Sequence, residues 1–302
     1  MIVVLIATCN RPELLSKLLK NLDNQTLNPN SIIIIDSSDQ NNLIKKSDLI
    51  SLKSKIVYQH TKIKSAAIQR NMALDVAPIN SKFIIVLDDD VTPEFNYIEK
   101  IIKNFDDEAI VGVSGIAVNR HSQTKNKLSV AVQKLFLLDS KKEGSITLGG
   151  INIPFKKTEK YEENQLKADW LIGCSAWRFS AIKKLRYMNF FGQSLFEDVI
   201  FSVNAARIGK LVVDTSIQLD HIQSLIGRSN LIEFYRMWVF NRYLLVRILN
   251  NNPLRYVAFH WASFGKFLQI FVEIICLKKQ SFRKFQGFLK GYFELLNMVL
   301  KK

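Results

Sequence analysis

Three consecutive aspartates, Asp88, Asp89 and Asp90, follow the apolar run Phe83-Ile84-Ile85-Val86-Leu87. Carboxylate oxygens are the donors that hard divalent cations such as Mg²⁺ and Mn²⁺ prefer. The same three residues can also cap a helix near Pro93 or fill a polar turn. A second acidic pair, Glu197-Asp198, opens a helix-forming segment, Asp198 to Ile208. The positive end of a helix dipole favours ionised carboxylates there, and ordinary N-terminal helix charge has the same signature. Arg70, within a segment of small residues, can approach a phosphate or ribose or simply face solvent.

The elements that would position these groups can be read from the apolar pattern. Ile2 to Ala7, Ile32 to Ile35, Ile56 to His60 and Phe83 to Leu87 are short runs rich in β-branched residues. Such runs suit strands buried on both faces. Between the first two, Leu14, Leu15, Leu18, Leu19 and Leu22 keep a helical period, with Pro12 tolerated in the first turn. A further helix is expected over about Ser65 to Val76. Strand and helix in alternation predict a right-handed α/β sheet, mostly parallel, with a crevice above the strand ends. Asn10, Arg11 and Asp36 would then share a rim with Asp88. No glycine-rich lysine loop and no Gly-x-Gly-x-x-Gly follows the first strand, which argues against a P-loop enzyme and a nicotinamide dehydrogenase.

The 302 residues carry a formal charge of +15, which suggests an anionic partner: a phosphate-bearing substrate, a lipid surface or nucleic acid. Cys9, Cys174 and Cys276 form neither a zinc spacing nor a disulfide framework. A reducing, cytosolic compartment is the simpler inference. Met1 leads directly into Ile-Val-Val-Leu-Ile-Ala, read as a first strand and not as a signal peptide.

Five motifs in order resemble the inverting family 2 glycosyltransferases of GT-A fold: the first strand with Thr8-x-Asn10-Arg11-Pro12, Asp36, Arg70-Asn71, Asp88-Asp89-Asp90, and Phe196-Glu197-Asp198. The resemblance implies a catalytic domain over 1–229, with a nucleotide-sugar half at 1–92 and an acceptor half at 93–229. It also implies that Thr8, Asn10, Arg11, Asp36, Arg70, Asp88 and Asp89 bind the donor. Asp90 would hold a divalent cation, Mn²⁺ or Mg²⁺, with Asp88 touching the ribose or the metal. His221 would complete the metal shell or touch the diphosphate, although a lone histidine is usually structural. Asp198 is the expected general base, because the attacking hydroxyl must lose a proton as the sugar leaves its diphosphate. Glu197 would orient the acceptor. Asp169 to Arg178 resembles the floor of the acceptor pocket, where Gly173, Trp170 and Trp177 would meet a sugar; two tryptophans near a strand equally suit a core. Arg228 is a candidate for a loop closing over the phosphates.

Departures from the family pattern leave the base and acceptor open. Cys9 stands where relatives have tyrosine, Ser37 where they have aspartate, and Met188-Asn189-Phe190-Phe191-Gly192 replaces Gly-Gly-Phe-Asp. The Gln-x-x-Arg-Trp element of processive polymerases is absent from the sequence, so transfer of a single sugar is expected, in bacterial surface polysaccharide synthesis. A nucleotidyltransferase would show a glycine-rich basic loop where Thr8 to Pro12 stands. A basic nucleic-acid-binding protein or a non-catalytic scaffold are the alternatives from other classes, with no nucleic acid expected on the main reading.

From Leu231 the composition changes. Leu231 to Leu249 mixes aromatics with Arg236, Arg242 and Arg247; Tyr256 to Leu277 is apolar but interrupted by Lys266, Gln269 and Glu273; Phe282 to Lys302 is amphipathic and basic. This predicts a helical region over 230–302 that packs on the protein or lies on an anionic membrane surface. A cytoplasmic enzyme, peripheral on the inner face of the cell membrane and acting on a glycan or lipid-linked acceptor, follows from that reading.

Overall fold

The computed structural model describes residues 1–45, 47–50, 52–117, 127–155, 161, 163–190, 195–221, 230–249 and 252–300. The chain forms two compact units. The first comprises Met1–His121, Phe155–Asn189 and Phe201–Ser224; the second, Ser122–Pro154, Phe190–Ile200 and Leu225–Lys302.

In the first unit the elements run β1 (Ile2–Thr8), α1 (Pro12–Asp23), β2 (Ser31–Asp36), α2 (Ser47–Ile50), β3 (Lys55–His60), α3 (Ala66–Val76), β4 (Phe83–Asp88), β5 (Val91–Pro93), α4 (Tyr97–Lys103) and β6 (Ile110–Ala117). After α5 (Lys127–Leu135), which belongs to the second unit, come β7 (Gln165–Lys167), β8 (Ser175–Arg178), α6 (Phe179–Ile182), α7 (Glu197–Ala205) and β9 (Lys210–His221). Helix α7 begins in the second unit and ends in the first. The strands form one mixed, mostly parallel sheet in the order β3-β2-β1-β4-β8-β6-β9-β5, with β7 paired to β9.

The apolar runs become central strands because both faces are covered. Ile2, Val4 and Ile6 of β1 meet Leu15, Leu18 and Leu22 of α1 on one side, while Val3 and Leu5 join Ala67 and Leu74 of α3 and Phe201 of α7 on the other. Each fully buried aliphatic side chain contributes about 1.5–3 kcal/mol relative to exposure. The four parallel strands occur in the order β3-β2-β1-β4, so the chain reverses its direction of progress between β1 and β4. A crevice at the carboxyl ends of strands forms at such a reversal. Strand β9 runs well past its apolar residues Leu211, Val212 and Val213, because Gln218 and Leu219 continue the ladder to β6 and Leu219 to His221 pair with β5.

The second unit is not the C-terminal segment alone, since α5 and a loop closed by the antiparallel bridge Ile146–Asn152 belong to it. Its main body is α8 (Leu231–Ile248), α9 (Leu254–Ile275) and α10 (Ser281–Leu300). Tyr235, Val239, Phe259, Ile270, Phe288 and Leu295 form the shared core. Gly291 lets α10 approach α8 closely: a Cβ there would lie 2.5 Å from the Arg236 carbonyl oxygen. Arg236 bonds Glu233 at 2.6 Å and Glu294 at 2.7 Å, fastening the same two helices. Among the described residues no helix is long and apolar enough to cross a membrane.

Candidate active site

Parallel pairing aligns Ala7 with Asp88 and Thr8 with Asp36, so β1, β2 and β4 deliver their polar ends together. The Thr8 hydroxyl donates to Asp89 Oδ2 at 2.7 Å, and Arg11 Nη1 donates to Asp89 Oδ1 at 2.8 Å and Asp90 Oδ2 at 3.2 Å. Thus the turn after β1 is clasped onto the turn after β4 across the reversal of strand order. Burial raises the Asp89 pKa against the pull of Thr8 and Arg11. For Arg11 burial acts downward, and Asp89 and Asp90 more than offset it, so its pKa is raised. The guanidinium therefore stays charged.

Arg70 lies inside the fold and bonds Asp88 at the crevice. Its Nη2 donates to Asp88 Oδ1 at 2.7 Å, with the Arg70 side chain 6% exposed and that of Asp88 31%. Position on α3 explains this: Ser65 caps the helix by accepting from Ile68 N, which sets Gln69 and Arg70 facing the strand ends. Gln69 Nε2 donates to the Thr8 and Ile35 carbonyls at 2.8 and 2.7 Å. Asn71 exchanges hydrogen bonds with the backbone of Tyr187, whose ring lies 5.4 Å from the Arg70 guanidinium carbon and stacks on Phe201.

The rim beside β2 is fixed by Asn10, which takes a left-handed φ of 56°. Asparagine tolerates that region better than other chiral residues. Its backbone N–H donates to Ser38 Oγ at 2.6 Å; its side chain donates to Asp39 Oδ2 at 2.9 Å and accepts from Asp39 N at 2.8 Å. Asp36 is buried, accepting from Tyr58 Oη at 2.8 Å and Ser38 N at 2.7 Å. Burial and that bond to Asp36 push the Tyr58 phenol well above its usual pKa. Asp36 in this arrangement shapes the rim from beneath.

Gly173 leaves room over the Asp88–Arg70 pair, since a Cβ there would lie 3.4 Å from Arg70 Nη2 and 3.6 Å from Asp88 Oδ2. The Cys174 thiol accepts from Asp88 N at 3.5 Å, and burial raises its pKa well above the usual value. Trp170 and Trp177 are 5% and 1% exposed, and Trp177 meets Phe201 edge to face at 5.0 Å. In the second unit, Glu197 and Asp198 begin α7; Asp198 Oδ1 accepts from Val199 N at 2.8 Å, and Phe196 before them has φ 72°. Asn241 of α8 donates to the Leu195 carbonyl at 2.8 Å. Arg228, Phe191 and Gly192 lie outside the described residues, as does the side chain of His221, whose backbone pairs with Val91.

Among the described residues no three His, Cys, Asp or Glu side chains gather as a metal cage. Asp88 and Asp90 still fit a Mg²⁺ or Mn²⁺ ion in donor type, because such ions take one or two carboxylates and complete their shell with water and substrate phosphates. Sequence reading selects Thr8, Asn10, Arg11, Asp36, Arg70 and the three aspartates, and the structure gathers all of them at one edge of the sheet. It does not reveal Gln69, Tyr58, Ser38 or Cys174. Their signal was weak, a polar residue next to a selected one, or a residue on the strand that turns out to be a neighbour.

The sequence profile described as Glycosyl transferase family 2 matches residues 3–186. The chain belongs to this family. It is a GT-A-fold enzyme that transfers a sugar from a nucleotide-sugar donor. No curated protein matches it in sequence. Among solved structures, S. aureus TarS (residues 1–349) in complex with UDP-GlcNAc is 14% identical, with 95% of this chain and 79% of that chain covered and a TM-score of 0.54. The mannosyltransferase PcManGT from Pyrobaculum calidifontis in complex with GDP-Man and Mn²⁺ is 12% identical, covering 97% and 87%, with a TM-score of 0.57. GalNAc-T7 with UDP, GalNAc and Mn²⁺ is 16% identical, covering 80% and 48%, at 0.54. At these identities the likeness shows the fold.

Proposed function

We propose that this family 2 transferase is metal-dependent and adds one sugar to a glycan or lipid-linked glycan acceptor in bacterial surface polysaccharide synthesis. The observation that carries the reading is the clasp of Thr8 and Arg11 on Asp89, which rigidly presents Asp88 and Asp90 at the strand reversal. The solved relatives bound to UDP-GlcNAc, or to UDP or GDP-Man with Mn²⁺, support a nucleotide-diphosphate donor and a cation.

Asn10, Arg11 and Asp36 define the donor rim together with Thr8 and Asp89, and Arg70 fixes Asp88 toward the ribose. Asp90, with His221, would hold Mn²⁺ or Mg²⁺. Such an ion, when bound, neutralises charge on the departing diphosphate. Asp198 takes the acceptor hydroxyl proton while the new glycosidic bond forms and the bond to the diphosphate breaks, on opposite faces of the sugar. Glu197 orients the acceptor. Gly173 admits the sugar, and Trp170 and Trp177 support that floor from within the core.

The second unit supports work at a membrane surface. Val257 and Ile275 of α9, Phe282 of α10 and Leu277 between them are 67%, 66%, 62% and 90% exposed, apolar side chains that a lipid surface could cover. Lys284 and Lys290 pair with Glu273 and Glu233, so the apolar surface supports contact more than charge does. Incubation with nucleotide sugars and acceptors, followed by mass spectrometry, tests the reading. Addition of one sugar by the wild type, lost in Asp198→Asn, is expected; a polymer ladder or full activity in the variant contradicts it.

A further inference from the structure

The second unit contains a cavity of about 370 Å³ between α9 and α10, within the size range of small-ligand sites. Phe267, Phe288, Leu289, Phe293 and Leu296 make it apolar, and His260, Ser263 and Tyr292 form one polar stretch of its wall. Behind that stretch is Arg242. The residue is 0% exposed; its Nη2 donates to Ser263 Oγ and, at 3.4 Å, to the Phe259 carbonyl. Among the described residues Nε and Nη1 have no hydrogen-bond partner.

A buried guanidinium without a carboxylate is costly, by several kcal/mol for the ion. The rings of Trp238 and Phe259, at 3.9 and 4.4 Å, offset part of that cost. Burial lowers the Arg242 pKa to about 9, so the group is still a cation at neutral pH. His260 is pulled down by burial and by Arg242 and is mainly neutral there. The cluster thus carries one positive charge beside an apolar cavity. We infer that this cavity binds a long-chain fatty acid, its hydrocarbon among the phenylalanines and leucines and its carboxylate on the Ser263–Tyr292–His260 wall, neutralising Arg242. One monoanion balances the one guanidinium that lies behind that wall. A phosphate monoester, at −1.5 to −2, would leave uncompensated charge.

The inference is independent of the donor site. Delipidated full-length protein is titrated calorimetrically with oleate, oleyl alcohol and oleoyl lysophosphatidate below their micelle concentrations. Oleate is expected to bind one to one and more tightly than the alcohol by about tenfold or more, about 1.4 kcal/mol, with lysophosphatidate weaker than oleate. Leu296→Trp, at a half-exposed position that tolerates change, fills the cavity and removes oleate binding while the melting temperature holds. Arg242→Met, where it folds, abolishes the preference for oleate over the alcohol. Equal affinity of wild type for oleate and alcohol, no oleate binding, or unchanged binding in Leu296→Trp would overturn the assignment. Tighter binding of lysophosphatidate would overturn the carboxylate in favour of a lipid phosphate.

Discussion

Arg70 Nη2 stands 2.7 Å from Oδ1 of Asp88, with the arginine buried and the carboxylate partly open to solvent. The buried guanidinium thereby aims the acid, and on the proposed reading the exposed end of the pair faces the donor. Arg70→Met is expected to cost about 1–3 kcal/mol, below the 3–5 typical of a fully buried pair because Asp88 is partly solvated. Donor KM should rise with it. Chemical denaturation and initial rates measure both; wild-type KM in the variant would detach Arg70 from the site.

Gly173→Ala separates site from stability. The added Cβ makes ordinary contacts with Arg70 and Asp88, so stability should change by about 0.5 kcal/mol or less. Activity should fall, since the methyl would enter the space that the proposed reading assigns to the sugar. A variant with unaltered kinetics would show that the space is unused.

Gln69→Leu removes both hydrogen bonds to the Thr8 and Ile35 carbonyls. The Thr8 carbonyl keeps Ser37 N at 3.0 Å and Ser37 Oγ at 3.3 Å, so the expected cost is about 1–3 kcal/mol in all. Loss of only a few tenths of a kcal/mol in urea denaturation would contradict this.

Cys174 supplies a pH signature. Burial raises its pKa, so the folded thiol keeps a proton that the unfolded thiol loses above about 8.5. Its contribution to stability is full below that pH and falls as pH rises through the folded value. Cys174→Ala should therefore flatten the alkaline decline in melting temperature. Iodoacetamide should label exposed Cys276 in the native state and Cys174 only on unfolding.

Replacement of Asp198 by Asn should lower turnover by about 10²–10⁴-fold, the usual contribution of a general base, while donor affinity holds. Stopped assays with saturating donor separate the two. Parallel loss of donor affinity would assign Asp198 to binding instead.

The sheet was legible because β1, β2 and β4 are buried on both faces and so are nearly all apolar, and because parallel strands place their following turns on one edge. That is why Thr8, Arg11 and Asp88–Asp90 could be found together. The supporting contacts depend on which strands become neighbours. Tyr58 reaches Asp36 only because β3 lies beside β2, and Cys174 meets Asp88 N only because the segment before β8 runs against β4. The affiliation of α5 and the Ile146–Asn152 loop with the C-terminal helices is likewise long-range. Arg242 looked like Arg236 and Arg247 in an aromatic-rich helix. Packing of α9 on α8 buries it, whereas Arg247 stays half-buried and Arg236 pairs with Glu233 and Glu294.

Calorimetric titration of UDP- and GDP-sugars into wild type and Asp90→Ala, each with Mn²⁺ and with EDTA, tests the central claim most directly. One nucleotide sugar should bind the wild type in a Mn²⁺-dependent manner, and Asp90→Ala should lose that dependence. No binding of any nucleotide sugar to the wild type, or equal Mn²⁺-dependent binding in the variant, would contradict the placement of the donor and its cation at the ends of β1 and β4.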